Sequence, residues 1–74
     1  MSDNKPTQRD LRFARNLKRI RKSKDLTQEK LAEKSRLSTT FIGLLETGKR
    51  RPSLDTIRKL ANVLDVKSRD LLPD

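Results

Sequence analysis

Along most of the chain, apolar positions recur at spacings of three and four between basic and polar runs. Nowhere do they alternate strictly in the way a half-buried strand requires. From Thr7 to Lys22, Leu11, Phe13, Ala14, Leu17, Ile20 and Arg21 follow helical spacing and most share one face. Arg9, Arg12, Arg15, Lys18, Arg19 and Lys22 cover the rest. Asp25 ends this segment, being one of the few residues besides glycine that tolerates the left-handed backbone of a helix stop. Thr27 is a good N-cap for a second helix, QEKLAEKS, with Leu31 and Ala32 inward. A turn of Ser35, Arg36 and Leu37 follows. Ser38 then caps a third helix, TTFIGLLET, which stops at Gly48. Ser53 caps a fourth, LDTIRKLANVL, with Leu54, Ile57, Leu60, Ala61 and Leu64 inward, and Asp65 breaks it. Residues 68–72 have room for one more helical turn before Pro73.

The pattern predicts an all-α domain of four or five helices over residues 7–74, behind a disordered polar arm at 1–6. The second and third helices are short and joined by about three residues, the arithmetic of a helix-turn-helix. An all-α bundle with no nucleic-acid role has the same periodicity.

Charge separates the two. The chain has 74 residues, 19 Lys and Arg against 10 Asp and Glu, and a formal net charge of +9. That excess speaks of anionic partners. Phe13 and Phe41 are the only aromatics, too few for a base-stacking single-strand or RNA surface, or for an interfacial membrane helix. With no cysteine and no histidine, disulfides, thiolate nucleophiles, histidine acid–base chemistry and the usual zinc sites are excluded. The carboxylates are scattered, with no nucleophile–base constellation and no Gly-rich phosphate loop. No enzyme, cofactor, metal or small-molecule ligand is expected. No apolar run approaches the roughly 20 residues that span a bilayer, and MSDNKPTQRD does not read as a secretory signal. The expected location is the cytoplasm. Short–turn–short helices with strong positive charge point to duplex DNA.

The stretch LTQEKLAEKSRLSTTFIGLLETGKRRPSLDTIRKLANVLDV resembles the helix-turn-helix domain of the lambda-repressor and Cro family, also called the XRE family. The resemblance runs from about Phe13 to Leu72. It lies in Thr27-Gln28, Leu31-Ala32, Ser38, Ile42, Leu45-Glu46, Gly48-Lys49, Pro52-Ser53-Leu54 and Leu60-Ala61 with Leu64. It implies a five-helix fold whose third helix enters the major groove while the second crosses the backbone. It places Thr39, Thr40 and Leu44 at base edges, with Gln28 touching a phosphate or buttressing the readers. It assigns phosphate contacts to the 48–53 loop and the start of helix four, and makes Arg21 and Glu46 a buried ion pair between helices one and three. Three residues depart from the pattern. Arg36 replaces the usual turn glycine, which strains it if the turn needs positive φ. Lys67 replaces a hydroxyl cap, which shortens the last helix. Leu44 stands where many relatives carry a polar reader.

At 100° per residue, Ile42, Leu45 and Glu46 fall on one side of the third helix, and Thr40, Gly43, Leu44 and Thr47 on the other. Either Leu44 meets the C5-methyl of thymine, or the helix is rotated and Leu44 is core. Gly43 fits close approach to the duplex or to a neighbouring helix. Ser38, Thr39 and Thr40 sit at a helix N-terminus that favours phosphate, Ser38 chiefly as the cap. Lys49, Arg50, Arg51 and Ser53 are candidate phosphate ligands, as are Arg9 and Arg12. So small a domain makes few base contacts. A homodimer on an inverted-repeat operator is therefore expected, joined through Val63, Val66, Lys67, Leu71 and Leu72, although Val66 and Leu72 serve a core equally well. The reading is a sequence-specific transcriptional regulator. The alternative is a protein-interaction module using Phe41, Gly43 and Leu44.

Overall fold

A hydroxyl opens four of the five helices. In the computed structural model, which describes residues 5–72, Thr7, Thr27, Ser38 and Ser53 are the N-caps of α1 (Gln8–Ser23), α2 (Gln28–Ser35), α3 (Thr39–Glu46) and α4 (Leu54–Leu64). Each side-chain oxygen accepts the N–H three residues on, a donor that a helix start otherwise leaves unpaired. At α1 the cap is reciprocal. Thr7 accepts from the Asp10 N–H at 3.1 Å, and the Asp10 carboxylate accepts from the Thr7 N–H at 3.0 Å. The last helix, α5 (Ser68–Leu71), is one turn. Lys67 offers it no side-chain cap, and Asp70 accepts the Lys67 N–H at 2.9 Å. The missing hydroxyl at Lys67 is thus matched by a short helix.

The helix ends are equally chemical. Asp25, Arg36 and Asp65 adopt the left-handed region with φ near 60°, and Gly48 has φ 78°. Arg36 does take the positive φ that makes a non-glycine residue costly there, by about 1–2 kcal/mol. Its N–H donates to the carbonyls of Ala32 and Glu33, which closes α2. Gly48 is confined twice over. Besides its φ, a Cβ at this position would lie 2.9 Å from Leu11 Cδ2.

Phe13, Leu17, Ile20, Leu31, Ala32, Ile42, Leu45, Ile57, Leu60, Ala61, Leu64 and Leu71 form one buried cluster drawn from all five helices. α1 packs on α3 and α5, α2 on α3 and α4, and α4 on α5. Among the described residues there is no strand. Three expectations are corrected here. Leu71, read as part of a dimer surface, has no exposed area and belongs to the core of the single chain; one turn of helix is too short for periodicity to assign its faces. Leu11 and Leu54, both grouped with inward stripes, lie at the stripe edges and are 36 % and 68 % exposed. Of the polar arm read over residues 1–6, residues 1–4 lie outside the described residues. Pro6 sits against Gly48, and Lys5 lines the same cleft.

Candidate nucleic-acid interface

α2 and α3 are joined by Arg36, Leu37 and Ser38 and pack directly on each other. A buried polar network holds α3 from behind. Arg21 donates from Nε to Glu46 Oε2 at 2.6 Å and from Nη2 to Glu46 Oε1 at 3.2 Å. Its Nη1 donates to the Leu26 carbonyl at 2.6 Å. Gln28 Nε2 donates to Glu46 Oε1 at 3.0 Å. The side chains of Arg21 and Glu46 are 8 % and 2 % exposed, so the pair expected between helices one and three is present and buried. Such a pair adds little net stability, but it fixes geometry, because losing either partner strands a charge. Gln28 is half-buried, and one of its two amide N–H groups is committed to Glu46. Its carbonyl oxygen stays available.

With Glu46 turned inward, the outward side of α3 has no charge. Ile42 and Leu45 are fully buried, so the helix is not rotated. Thr39, Thr40 and Thr47 are exposed, and Gly43 and Leu44 are partly exposed beside them. Leu44 is absent from the side chains packed on the core, unlike Phe41 and Leu37. Gly43 is not required by its neighbours: an added Cβ would meet only the Gln28 carboxamide at 4.0 Å, an ordinary contact. The Ser38 hydroxyl accepts the Phe41 N–H at 3.0 Å, which leaves its proton free to donate.

Behind α3 the basic loop is built, not loose. Lys49 and Arg50 both donate their N–H to the Leu44 carbonyl, at 2.9 and 3.3 Å. The Arg50 guanidinium lies 5.5 Å from the centroid of the Phe41 ring. Arg51 donates from Nε to Asp10 Oδ2 at 3.2 Å, with Nη2 at the same distance from that oxygen. Lys5, Pro6, Asp10, Gly48, Lys49, Arg50 and Arg51 line one cleft. The Asp10 carboxyl is held below its ordinary range chiefly by the Thr7 backbone N–H. Burial opposes this, and hydrogen bonds from Arg51 and the Thr7 hydroxyl add to it. Ser53 is exposed and caps α4 by accepting the Thr56 N–H at 3.1 Å, while its hydroxyl donates to Thr56 Oγ1 at 3.0 Å.

Thus Gln28, Thr39, Thr40 and Leu44 lie on adjoining parts of α2 and α3, with Lys49, Arg50 and Arg51 directly after them. Arg9 and Arg12 are exposed on α1; Arg9 shares a second cleft with Asp10, Arg51, Pro52 and Leu54. Val63, Val66 and Leu72 are partly buried against the core, and Lys67 is exposed. Two contributors escape a reading of the sequence: Asp10, whose partner is far along the chain, and Phe41, which serves as a shelf for Arg50. The one available signal for Asp10 was its place three residues after Thr7, the spacing of a capping box.

A family profile described as Helix-turn-helix matches residues 17–71. The chain is 43 % identical over 63 residues to the control protein C.BamHI of Bacillus amyloliquefaciens, covering 84 % of this chain and 78 % of that protein. It is 39 % identical over 51 residues to the immunity repressor of Bacillus phage phi105, covering 69 % of this chain but 35 % of the repressor. Its fold is similar to the crystal structure of the restriction-modification controller protein C.AhdI from Aeromonas hydrophila. There the TM-score is 0.82 with 40 % identity over 85 % of this chain and 96 % of that one.

Proposed function

We infer function from one premise: this chain belongs to the helix-turn-helix family. It is a sequence-specific DNA-binding transcriptional regulator, and we read α3 as the helix that enters the major groove. The observation that carries this reading is the uncharged outward side of α3. It is pinned from behind by Arg21, Glu46 and Gln28 and followed at once by three cations. Thr39 and Thr40 offer hydroxyls to base edges, and Leu44 offers an apolar surface to a thymine methyl. Gln28, held by Glu46, presents its carbonyl oxygen beside them. Lys49, Arg50 and Arg51 meet phosphates, joined by the hydroxyls of Ser38 and Ser53 and by Arg9 and Arg12. With so few hydrogen-bonding readers, much of the specificity comes from where the phosphates are gripped and from DNA shape.

A single domain of this size gives too few base contacts for tight specificity. The acting species in our reading is a homodimer on an inverted repeat, joined through Val63, Val66, Lys67 and Leu72. The kinship to a control protein and an immunity repressor supports repression or autoregulation. The competing reading, protein docking on Phe41 and Leu44, is weakened because Arg50 already lies over the Phe41 ring.

The test is selection of bound duplexes from a random pool at near-physiological salt. An enriched inverted repeat with half-sites about one helical turn apart, roughly 34 Å, supports this reading. Salt-sensitive binding with no enrichment overturns it in favour of the protein-docking surface.

A further inference from the structure

We propose that Asp10 is a positioning residue for DNA binding: it holds the Arg51 guanidinium by one edge and so turns the remaining N–H groups toward a backbone phosphate. This rests on the reading above that the loop after α3 meets the duplex. α1 carries seven cations, Arg9, Arg12, Arg15, Lys18, Arg19, Arg21 and Lys22, with Asp10 as its only acid. Yet Asp10 pairs with none of them and reaches a residue forty-one positions away. Its Oδ2 accepts the Thr7 N–H at 3.0 Å and Arg51 Nε at 3.2 Å. The carboxylate is also held independently of Arg51, by its cap and by burial, with 10 % of its side chain exposed. Arg51 differs, with 66 % of its side chain exposed. A guanidinium is a rigid planar fork, so fixing its Nε–Nη2 edge also fixes where Nη1 points.

Two further observations favour positioning over a purely structural role. First, capping does not require an acid here. At α2, α3 and α4 the residue that donates its N–H to the cap hydroxyl is Lys30, Phe41 or Thr56, and a hydroxyl alone suffices. Second, a carboxylate in a cationic cleft subtracts from the field that attracts DNA. Lys5, Lys49 and Arg50 line that cleft of about 250 Å³ with Arg51. Gly48 is seated against Leu11 and Pro6, which holds the loop backbone, so what Asp10 fixes is the Arg51 side chain.

The two effects predict opposite signs, which makes the test sharp. The whole chain is titrated against a short fluorescent duplex of mixed sequence at several salt concentrations. If Asp10 acts only through charge, Asp10→Asn tightens binding. Positioning predicts that Asp10→Asn weakens it, about three- to tenfold for a misaligned charge-assisted contact, and that Asp10→Glu recovers part of the loss. Thr7→Ala removes the hydroxyl half of the cap but leaves the carboxylate on Arg51; it should bind as the native chain does. Asp10→Asn combined with Arg51→Gln should be no weaker than Arg51→Gln alone. Should Asp10→Asn fail to fold, Arg51→Lys keeps the charge and loses the fork, and it too should weaken binding. Tighter or unchanged binding by Asp10→Asn, or native-like binding by Arg51→Lys, overturns the proposal while the regulator reading stands. Unchanged affinity and salt slope in Arg51→Gln would instead remove the loop from the duplex, and the proposal with it. No binding of any duplex by the native chain would fail the regulator reading itself.

Discussion

Gln28 and Arg21, one on α2 and one on α1, meet on the same carboxylate: Glu46 receives both, at 3.0 and 2.6 Å. Three helices are therefore tied at one buried acid, directly beneath the outward side of α3. Glu46→Ala strands the Arg21 guanidinium in the interior and should lower stability by about 3–5 kcal/mol, measured by urea unfolding. Replacing both partners with apolar residues, Arg21→Met with Glu46→Leu, should recover most of that loss. The double variant should still discriminate DNA sequences less well, because Gln28 has lost its anchor.

Arg36 occupies the left-handed region with φ 60° where glycine is at ease. Arg36→Gly should stabilise the fold by about 1 kcal/mol, the penalty a side chain incurs in that conformation less the extra freedom of the unfolded glycine. Thermal unfolding checks the sign, and a drop in the midpoint would contradict the strain.

Gly43 behaves in the opposite sense. Its site has room for a methyl group, the nearest atoms being the Gln28 carboxamide at 4.0 Å. Gly43→Ala should raise stability by roughly 0.5–1 kcal/mol through helix propensity. If the backbone of α3 closely approaches the duplex, the same variant should bind its selected site more weakly. A variant that is both more stable and an equal binder would show that the glycine serves neither fold nor contact.

Arg50 rests on Phe41, 5.5 Å from the ring centroid. Phe41→Leu keeps an apolar side chain but removes the ring. A double-mutant cycle with Arg50→Gln should give a coupling of about 0.5–1 kcal/mol in DNA affinity. Arg50→Gln should also flatten the salt dependence by about one unit and weaken all sequences alike. A change of preferred base instead would make Arg50 a base reader.

The pH response follows from Asp10. Its carboxyl titrates below the usual value of 3.8 in the folded chain, first because of the Thr7 N–H and further because of Arg51. A lowered folded pKa contributes stability that is complete above the unfolded pKa and is lost as pH falls through the folded one. Asp10 should therefore help to stabilise the fold from neutral pH down to about pH 4 and lose that contribution under stronger acid. In acid titrations followed by circular dichroism, Asp10→Asn should shed this part of the acid limb. With no histidine in the chain, nothing in its side-chain inventory ordinarily titrates between about pH 5 and 8.

The helix starts and most of the core were readable along the chain because each depends on residues within four positions of one another. Thr7, Thr27, Ser38 and Ser53 announce their helices, whereas the strain at Arg36 was legible only through the resemblance, which puts a glycine there. Leu71, Leu11 and Leu54 were misplaced for the converse reason. One turn has no period to read, and a residue at the edge of a stripe is sorted only by what packs over it. The Asp10–Arg51 bond spans forty-one residues, and the placement of Arg50 over Phe41 depends on the path of the loop. Both are facts of chain trajectory, which spacing rules do not encode.

One consequence of how α3 is held concerns inheritance more than mechanism. What seats this helix lies behind it, on its flank or at its ends: Ile42, Leu45, Glu46, Phe41, the Ser38 cap and the Gly48 stop. The side chains of Thr39, Thr40 and Leu44 support none of it. Those three positions form an exchangeable cartridge in a fixed housing. On the proposed reading of these positions as base contacts, descendants of this chain can change the address they recognise at little cost in stability, so related chains should diverge in target sooner than in shape.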